Sequence, residues 1–362
     1  MMLKRLLLLL PLIISAGALP LAAQTETPDT IISPTLSAIE ARGELVCGID
    51  EEVFGFGFLN PNTGEISGIQ VEFCRALAAA TLGEASAVNY RLYPLEAEPA
   101  AIIDDDLDVL FHHTYIPTLA RTTPSNLAVG RAAVFYDGAS VMVEAGGTAA
   151  DWADLDSATI CAVANTPATE DFAAEMALRE LSYDEVLFST PTEMGAAFVN
   201  GQCAAQVLDR SLLEIIRAST DSPGNYVVWS PPFTRRTITP LYQYGDPVWG
   251  DIVDWTLWGL IQAEKLGISS QTIDQFTRRP AENAEDYVER VGKPAALLLD
   301  AEVGLGGSLG LSNDYMARVI GQVGNYGEIY DRYLGPESPL PLDRDVNNLW
   351  ADGGLLDAPV WR

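Results

Sequence analysis

The sequence predicts an α/β protein in which helices flank parallel or mixed sheets. Strand-like and helix-like segments alternate along most of the chain, and the alternation falls into two successive sets, the second followed by a long helix-like segment. Of the 362 residues, 48% are hydrophobic and 9% aromatic, which supplies enough apolar material for large cores. We therefore expect about two domains by length, and no disordered chain.

The first 23 residues predict a signal peptide. Residues 4–5 give a positive start, residues 6–18 are largely apolar, and Leu21-Ala22-Ala23 offers the small-residue pattern that a signal peptidase requires. The apolar run is shorter than the about 20 residues that span a bilayer, although an uncleaved membrane anchor is the alternative. We expect an exported, soluble, periplasmic protein. Residues 24–35 are rich in Thr, Pro and Ser and predict a flexible leader.

The first set of alternating elements follows this leader. Gly68 precedes a helix-like segment in which Phe73, Leu77 and Ala80 share one face, because they are spaced i, i+4 and i+7. The strands predicted for this set lie at residues 43–49, 88–92 and 107–111.

The second set carries two clear helix starts. Thr166-Pro167 and Thr190-Pro-Thr-Glu193 each place Pro at the first helical position, where its missing N–H costs nothing, and the latter is a capping-box pattern. A long helix follows Asp246 and ends at Gly267, and a helical tail is predicted over residues 313–334. The strands predicted for this set lie at residues 140–143, 158–163, 204–208 and 224–229.

Four cysteines in an exported chain predict two disulfides, for which three pairings exist. Pairing neighbours in sequence gives Cys47–Cys74 and Cys161–Cys203, one bridge in each set of elements, each stabilising by roughly 3–4 kcal/mol in the chain-entropy picture. Metal binding is the alternative, but there is no Cys-x-x-Cys spacing, and the two histidines are adjacent. We expect neither a metal nor another cofactor.

The charge is strongly acidic, with 50 acidic against 21 basic residues and a formal net charge of −29. Such a surface repels nucleic acid and anionic membranes, so we expect neither as a partner. The acidic residues are dispersed, which favours a role in solubility over a cation-attracting patch.

Eight segments, in one order along the mature chain, are similar to a known family. They lie at residues 41–48, 67–76, 135–138, 251–257, 263–267, 324–328, 335–340 and 353–359. The chain resembles the periplasmic amino-acid-binding proteins of general L-amino-acid ABC transporters (solute-binding protein family 3 type). The four cysteines also fall where that subgroup has its own.

The resemblance implies the two-lobed periplasmic-binding-protein fold (type II), in which each lobe is a mixed sheet flanked by helices and two crossovers join the lobes. Residues 36–138 and 242–362 would form lobe one with the C-terminal helical tail, and residues 139–241 lobe two. The implied function is an extracytoplasmic receptor of an ABC importer, which binds a free amino acid between closing lobes. The expected partner is a membrane permease, and we expect a monomer without enzymatic activity.

The resemblance further implies that Arg121 clamps the ligand's carboxylate. A guanidinium can meet a carboxylate with two parallel hydrogen bonds. The family has a Thr-x-Thr-x-x-Arg pattern after a strand of lobe one, and Thr118 and Arg121 match its last Thr and its Arg. Thr114 matches the first Thr only if one residue is inserted around residues 115–117. The alternative for Arg121 is a surface ion pair.

Asp209 and Thr166 are the candidates from lobe two. Asp209 matches the family's acid for the ammonium and follows a buried-looking strand, although a salt bridge to Arg210 is the alternative. Thr166 stands where the family has a Gly-Thr-Thr-like turn, so it can turn a hydroxyl and a helix N-terminus toward an anion. A plain helix cap explains Thr166 equally well, and Pro167 removes one amide.

Phe56 and His113 complete the predicted site. An aromatic wall packs on the ligand in this family, and we choose Phe56 from Phe54, Phe56 and Phe58, of which one or two are expected in the core. His112 and His113 lie beside the predicted clamp, where the subgroup has Arg-Asn. A structural hydrogen-bonded pair and a contact with the ligand's side chain both suit neutral imidazoles.

Two other functions stay open. The same fold serves exported dehydratases of cyclic amino acids, and the histidines could supply the general acid or base that such chemistry needs. Alternatively, the chain is a divergent family member for another small solute, since it departs from the family pattern at residues 115–117, 165–167 and 242–244.

Overall fold

The computed structural model describes residues 33–95, 97, 107–113, 126–147 and 149–361. The predicted signal peptide and most of the predicted leader lie outside these residues. The described strands are β1 (Leu45–Asp50), β2 (Glu52–Val53), β3 (Gly57–Leu59), β4 (Ile66–Ser67), β5 (Val88–Tyr93), β6 (Val109–Leu110), β7 (Leu127–Val129), β8 (Phe135–Asp137), β9 (Ala139–Glu144), β10 (Ala158–Val163), β11 (Tyr183–Phe188), β12 (Ala205–Asp209), β13 (Tyr226–Val228), β14 (Arg236–Ile238) and β15 (Leu241–Gln243).

The helices flank these strands and follow several of the predicted start signals. They are α1 (Pro34–Arg42), α2 (Ile69–Leu82), α3 (Pro167–Leu178), α4 (Pro191–Val199), α5 (Arg210–Ser219), α6 (Pro247–Lys265), α7 (Ile273–Phe276), α8 (Ala284–Val291), α9 (Lys293–Leu299), α10 (Tyr315–Val323) and α11 (Tyr326–Tyr333). Across the described ranges, no helix combines the length and the apolar character needed to cross a membrane.

Two five-stranded mixed sheets form the framework. The first has the order β5-β1-β6-β15-β7, and the second has the order β11-β10-β12-β9-β13. The strand β1 runs parallel to β5 and β6, and β10 runs parallel to β11 and β12, whereas β15 and β9 pair antiparallel with their neighbours. The predicted α/β class with mixed sheets is confirmed.

The chain passes from the first sheet to the second through β8 and returns through β14. These two crossover strands pair antiparallel with each other, and Asp137 on β8 faces Arg236 on β14 in the register. Because β7 and β15 belong to the first sheet while β9 and β13 belong to the second, both passages run through the same short ribbon.

Apolar helix faces cover both sheets. The predicted face of α2, with Phe73, Leu77 and Ala80, is buried against the first sheet. On the second sheet, Phe172 of α3 and Met194 of α4 belong to two separate buried clusters. Burial of a large apolar side chain contributes about 1.5–3 kcal/mol, so these faces hold the helices on their sheets.

Both predicted disulfides are present. Cys47–Cys74 ties β1 to α2 with a Cα–Cα distance of 6.0 Å, and Cys161–Cys203 ties β10 to the segment before β12 with a distance of 5.7 Å. Each bridge therefore links a central strand of one sheet to a following segment of the chain.

Two boundaries differ from the sequence expectation. The helix α1 begins inside the predicted leader, because the Ser33 side chain accepts a hydrogen bond from the N–H of Leu36 and donates to Asp246 Oδ2 at 2.7 Å. Within the predicted helical tail, a helix boundary falls at Gly324, so the tail consists of α10 and α11. Gly324 adopts a φ of 89°, which favours glycine, and Asn325 starts α11 with a capping box.

Candidate functional site

The residues that end β1 and follow β6 form a buried polar cluster. The buried Asp50 carboxylate accepts hydrogen bonds from Gln70 Nε2 at 2.6 Å and from the backbone N–H of His113 at 2.8 Å. The Nδ1 atom of His112 lies 3.4 Å from the other oxygen of Asp50. Both histidines are thus fixed to the end of the first sheet.

The His113 imidazole links this cluster to α5 and to β8. Its Nε2 atom lies 2.8 Å from Ser211 Oγ and 3.2 Å from Asp137 Oδ2. The Ser211 hydroxyl donates to the same carboxylate, and the backbone N–H of Ser211 donates to Asp137 Oδ1 at 3.3 Å. Since the serine proton goes to the aspartate, the network assigns a proton to Nε2 of His113.

Asp137 is an ionised group in this network. Burial acts to raise the pKa of Asp137. The interaction with His113 lowers the pKa, and so do the hydrogen bonds from Ser211 and from the N–H of Gly138. Together they outweigh burial and hold the pKa below its usual value. The carboxylate therefore stays charged at neutral pH inside the protein.

Phe56 packs against His113 in the core. Its ring centroid lies 4.4 Å from that of His113 and 4.9 Å from that of Phe135, and Phe56 is 1% exposed. Phe54 and Phe58 form a half-buried edge-to-face pair at 5.2 Å. A ligand contact through Phe56 stays a prediction, while Phe54 and Phe58 present the more accessible aromatic surface.

Asp209 takes part in an ion triad beside the crossover strands. One nitrogen of the Arg236 guanidinium donates to Asp209 Oδ1, and the other terminal nitrogen donates to Asp171 Oδ2. The Arg236 side chain is 7% exposed, whereas those of Asp209 and Asp171 are 25% and 39% exposed. The triad thus has a buried cation and two carboxylates that reach the surface.

Thr166 caps α3. Its hydroxyl accepts a hydrogen bond from the N–H of Thr169 and donates to the carbonyl of Val163 at 3.0 Å. Ser and Thr caps of this kind satisfy one free N–H of the first turn. The hydroxyl of Thr166 is therefore engaged by its own segment, and a role in ligand binding stays a prediction.

The described part of the predicted site converges on the crossover strands. His113 and Asp209 reach this region directly, and Thr166 caps the helix that carries Asp171. Three predicted residues, namely Thr114, Thr118 and Arg121, lie outside the described residues. The suggested partner of Asp209 is corrected: Arg210 donates to the carbonyl of Asp343 at 3.3 Å, and Arg236 makes the salt bridge.

The sequence interpretation did not include Arg236, Asp171, Asp137 or Ser211 in the site. Arg236 is 27 residues from Asp209 in the chain, and their pairing depends on how β14 lies beside the second sheet. Asp137 carried a weak signal, since it lies in the family-similar segment 135–138, at the predicted end of the first stretch of lobe one. No local pattern marks the other three.

An open cavity of about 940 Å³ lies along α4 and α5. Its walls include Leu212, Ile216 and Val199 from these helices, and Val53 and Leu95 from the side of the first sheet. The four described site candidates do not line this cavity. The space is large enough for a small solute, but the charged side chains among its described walls are two acidic ones, which cannot meet the carboxylate of a zwitterion.

The side chains around His113 do not form a hydrolytic triad, although they include Ser211 and Asp137. In a triad the acid holds Nδ1 of the histidine while the nucleophile meets Nε2, but here both partners lie at Nε2. Nδ1 of His113 has no hydrogen-bond partner within the described part of the chain. Over the same residues, no group of three or more His, Cys, Asp or Glu side chains converges as a metal site.

Comparisons with known proteins agree with this architecture. No family model matches the chain. Over 328 residues it is 31% identical to the general L-amino acid-binding periplasmic protein AapJ of Rhizobium johnstonii, an alignment that covers 91% of this chain and 93% of the relative. It is 30% identical over 329 residues to the glutamate/glutamine/aspartate/asparagine-binding protein BztA of Rhodobacter capsulatus, with coverage of 91% and 93%.

A solved structure extends the likeness to three dimensions. An ABC transporter periplasmic binding protein from Brucella ovis with glutathione bound superposes with a TM-score of 0.77 at 30% identity, over 91% of this chain and 99% of that one. The fold is that of a type II periplasmic binding protein, with two lobes and two crossovers. The chain belongs to the periplasmic binding proteins of amino-acid ABC transporters. The sequence prediction of fold and family is confirmed, and these relatives are transport proteins.

Proposed function

We propose that the chain is the exported solute-binding receptor of an ABC importer, and that it binds a free amino acid and delivers it to a membrane permease. The observation that carries the proposal is the position of Asp209. Its partly exposed carboxylate ends β12, a strand parallel to β10, beside the ribbon where the chain crosses between sheets. Ligands of open α/β sheets bind outside the carboxyl ends of strands at such points.

The two charges of the ligand would be met from different segments. Asp209 would accept the ammonium, and Arg121 with Thr118 and Thr114 would clamp the carboxylate. The N-terminus of α3, capped by Thr166, would add a favourable dipole for the carboxylate. We assign the lobes to residues 36–138 with 242–362 and to residues 139–241.

A second candidate ligand is glutathione, which is bound in the structure from Brucella ovis. The γ-glutamyl end of glutathione carries the same ammonium and α-carboxylate pair as a free amino acid. A site built around Asp209 and Arg121 could therefore hold either molecule by that end, with the remaining pocket deciding between them.

We propose a receptor rather than an enzyme. The support is the geometry of the buried histidines: His112 and His113 are held by Asp50 and Asp137, and both are buried. A general acid or base must reach the substrate within hydrogen-bond distance, and these imidazoles are instead committed to structural partners. We also propose cleavage after residue 23, export to the periplasm, and a monomeric state.

Thermal melting against a panel of amino acids and glutathione tests the proposal. A ligand at about 100 times its Kd stabilises the folded state by about 2.7 kcal/mol, which corresponds to several degrees for a protein of this size. We expect at least one amino acid to raise the melting temperature, and Asp209→Asn and Arg121→Ala to remove most of that rise. Asp184→Asn, an exposed carboxylate on β11, is the matched control and should keep it. No shift with any member of the panel would refute the proposal.

A further inference from the structure

The ion triad of Asp171, Arg236 and Asp209 has a feature that a simple salt bridge lacks. One buried cation is shared by two carboxylates, which come from two different elements of the second sheet's lobe, α3 and the end of β12. The formal charge of the triad is therefore −1, and its uncompensated charge lies on the exposed side.

We propose that Asp171 is a second carboxylate of the ammonium site and that Arg236 is the positioning residue that aligns Asp171 with Asp209. This inference rests on the proposed function and deepens it. The ligand's ammonium would be held by two carboxylates instead of one, and Arg236 would form the inner wall of that subsite without touching the ligand.

The hydrogen bonds leave the required acceptors free. Arg236 uses Oδ1 of Asp209 and Oδ2 of Asp171. Oδ2 of Asp209 and Oδ1 of Asp171 receive no hydrogen bond from the residues that the structure describes, and both side chains are partly exposed. An ammonium has three donors and no acceptor, so the free oxygens of two carboxylates that share one guanidinium match its chemistry.

Electrostatics explains why the guanidinium is needed. Two carboxylates close enough to share one ligand repel each other, and like charges at one site favour protonation of one of them. The planar fork of Arg236 places a cation between them and meets each with a separate N–H group. Both carboxylates can then stay ionised, and an incoming ammonium brings the formal charge of the subsite to zero.

The position of Arg236 supports a role in alignment. Arg236 lies on β14, where it pairs with Asp137 of β8. Its backbone therefore belongs to the crossover ribbon. Its side chain is buried, which restricts the guanidinium to one orientation. A surface arginine would provide no such fixed geometry, because long exposed side chains lose rotamer entropy when they are held.

Affinity measurements on matched variants test the inference. Asp171→Asn keeps the shape and can still accept a hydrogen bond from Arg236, but it removes the charge. We expect its Kd for the amino acid identified by melting to rise about 10-fold, the usual scale for one charge-assisted hydrogen bond. Glu170→Gln, at the exposed neighbouring position on the same helix, should change the Kd by no more than about 2-fold, well below the change expected for Asp171→Asn.

A ligand without the ammonium separates a direct role from a structural one. For the 2-hydroxy acid of the same side chain, Asp171→Asn should change the Kd much less than for the amino acid, while the melting temperature of the unliganded variant should stay near that of the wild type. Arg236→Lys should weaken amino-acid binding, because one ammonium head cannot hold two carboxylates in a fixed plane.

Two results would overturn the inference. One is an Asp171→Asn variant that binds the amino acid as the wild type does. The other is an Asp171→Asn variant that loses affinity equally for the amino acid and the hydroxy acid, or whose loss of affinity accompanies a lower melting temperature. Either form of this result would mean that Asp171 is only a structural partner of Arg236. Silence of the wild-type protein across the whole panel would instead refute the proposed function, so the two failures are distinguishable.

Discussion

At the scale of single residues, the histidines that precede the predicted clamp have a clear physical role. His113 is buried and joins three elements, since its backbone binds Asp50 and its ring meets Ser211 and Asp137. A buried carboxylate without its hydrogen-bond donors is costly, so each member of this network requires the others. The sequence interpretation allowed a structural hydrogen-bonded pair, and the contacts of His113 with Asp50, Ser211 and Asp137 are of that kind.

Asp137→Asn should destabilise the protein by about 3 kcal/mol at neutral pH, because it removes the negative charge that strengthens the buried hydrogen bonds to His113 and Ser211. The pKa of Asp137 is held below its usual value, so its contribution to stability is present above the pKa of the unfolded state and is lost as the pH falls through the lower folded-state pKa. The wild type should therefore lose more stability than the variant on going into acid. Urea unfolding at neutral pH and at successively lower pH values measures both effects.

The matched control for this prediction is Asp352→Asn, an exposed carboxylate in the C-terminal segment. It should change the free energy of unfolding by no more than about 0.5 kcal/mol, as is usual for surface substitutions. Equal acid sensitivity of the wild type and Asp137→Asn would contradict the role assigned to Asp137.

At the scale of elements, the C-terminal segment, residues 335–361, contacts the crossover strand β8 and residues beside the second sheet. Asn347 is fully buried, and its side chain accepts from the N–H of Tyr136 at 2.7 Å and donates to the carbonyl of Tyr136 at 2.8 Å. Asp345 accepts a hydrogen bond from Ser230 at 2.8 Å, and the carbonyl of Asp343 accepts from Arg210. One segment thus supports β8 and reaches residues that flank the second sheet.

Asn347→Ala should lower the free energy of unfolding by about 2–3 kcal/mol, because it leaves both main-chain groups of Tyr136 without their partner. Asn62→Ala, at an exposed position, is the control and should have little effect. Chemical denaturation of the two variants beside the wild type gives the comparison. A loss for Asn347→Ala no larger than that of Asn62→Ala would show that the segment does not support the ribbon.

The sequence predicts those elements that carry local signals. The starts of α3, α4 and α6 were recognisable because Thr or Asp caps precede Pro, and the structure shows all three caps. The strand β11 was missed because it is a sheet edge whose exposed and half-buried residues do not alternate, and α5 was missed because its N-cap, Asp209, makes no side-chain capping bond. Short pairings such as β8 with β14 depend on tertiary contacts and leave no periodic pattern.

The same distinction applies to the site. Asp209 was recognisable from its place after an apolar strand and from the family pattern. The cation that pairs with Asp209 was not recognisable, because Arg236 lies on a different strand. The sequence neighbour Arg210 instead donates to the carbonyl of Asp343. Asp171 lies inside α3 and has no motif of its own, so its proximity to Asp209 emerges from the fold.

At the scale of the whole molecule, two sheets joined by a short ribbon give the chain the architecture of a closing receptor. Its dispersed negative charge, formally −29, favours solubility and disfavours nucleic acid as a partner. Two regions compete as the place of the ligand: the Asp209 triad beside the ribbon and the open cavity along α4 and α5. The triad offers two carboxylates that match an ammonium, whereas the described walls of the cavity mix apolar and polar side chains and hold no cation for the ligand's carboxylate.

A crystal structure of the protein with the amino acid identified by melting decides between these regions most directly. The account predicts the ligand's ammonium within about 3 Å of a carboxylate oxygen of Asp209, the usual length of a charge-assisted hydrogen bond, with its carboxylate on Arg121. A ligand seated along α4 and α5, or one whose ammonium has no contact with Asp209, would contradict it.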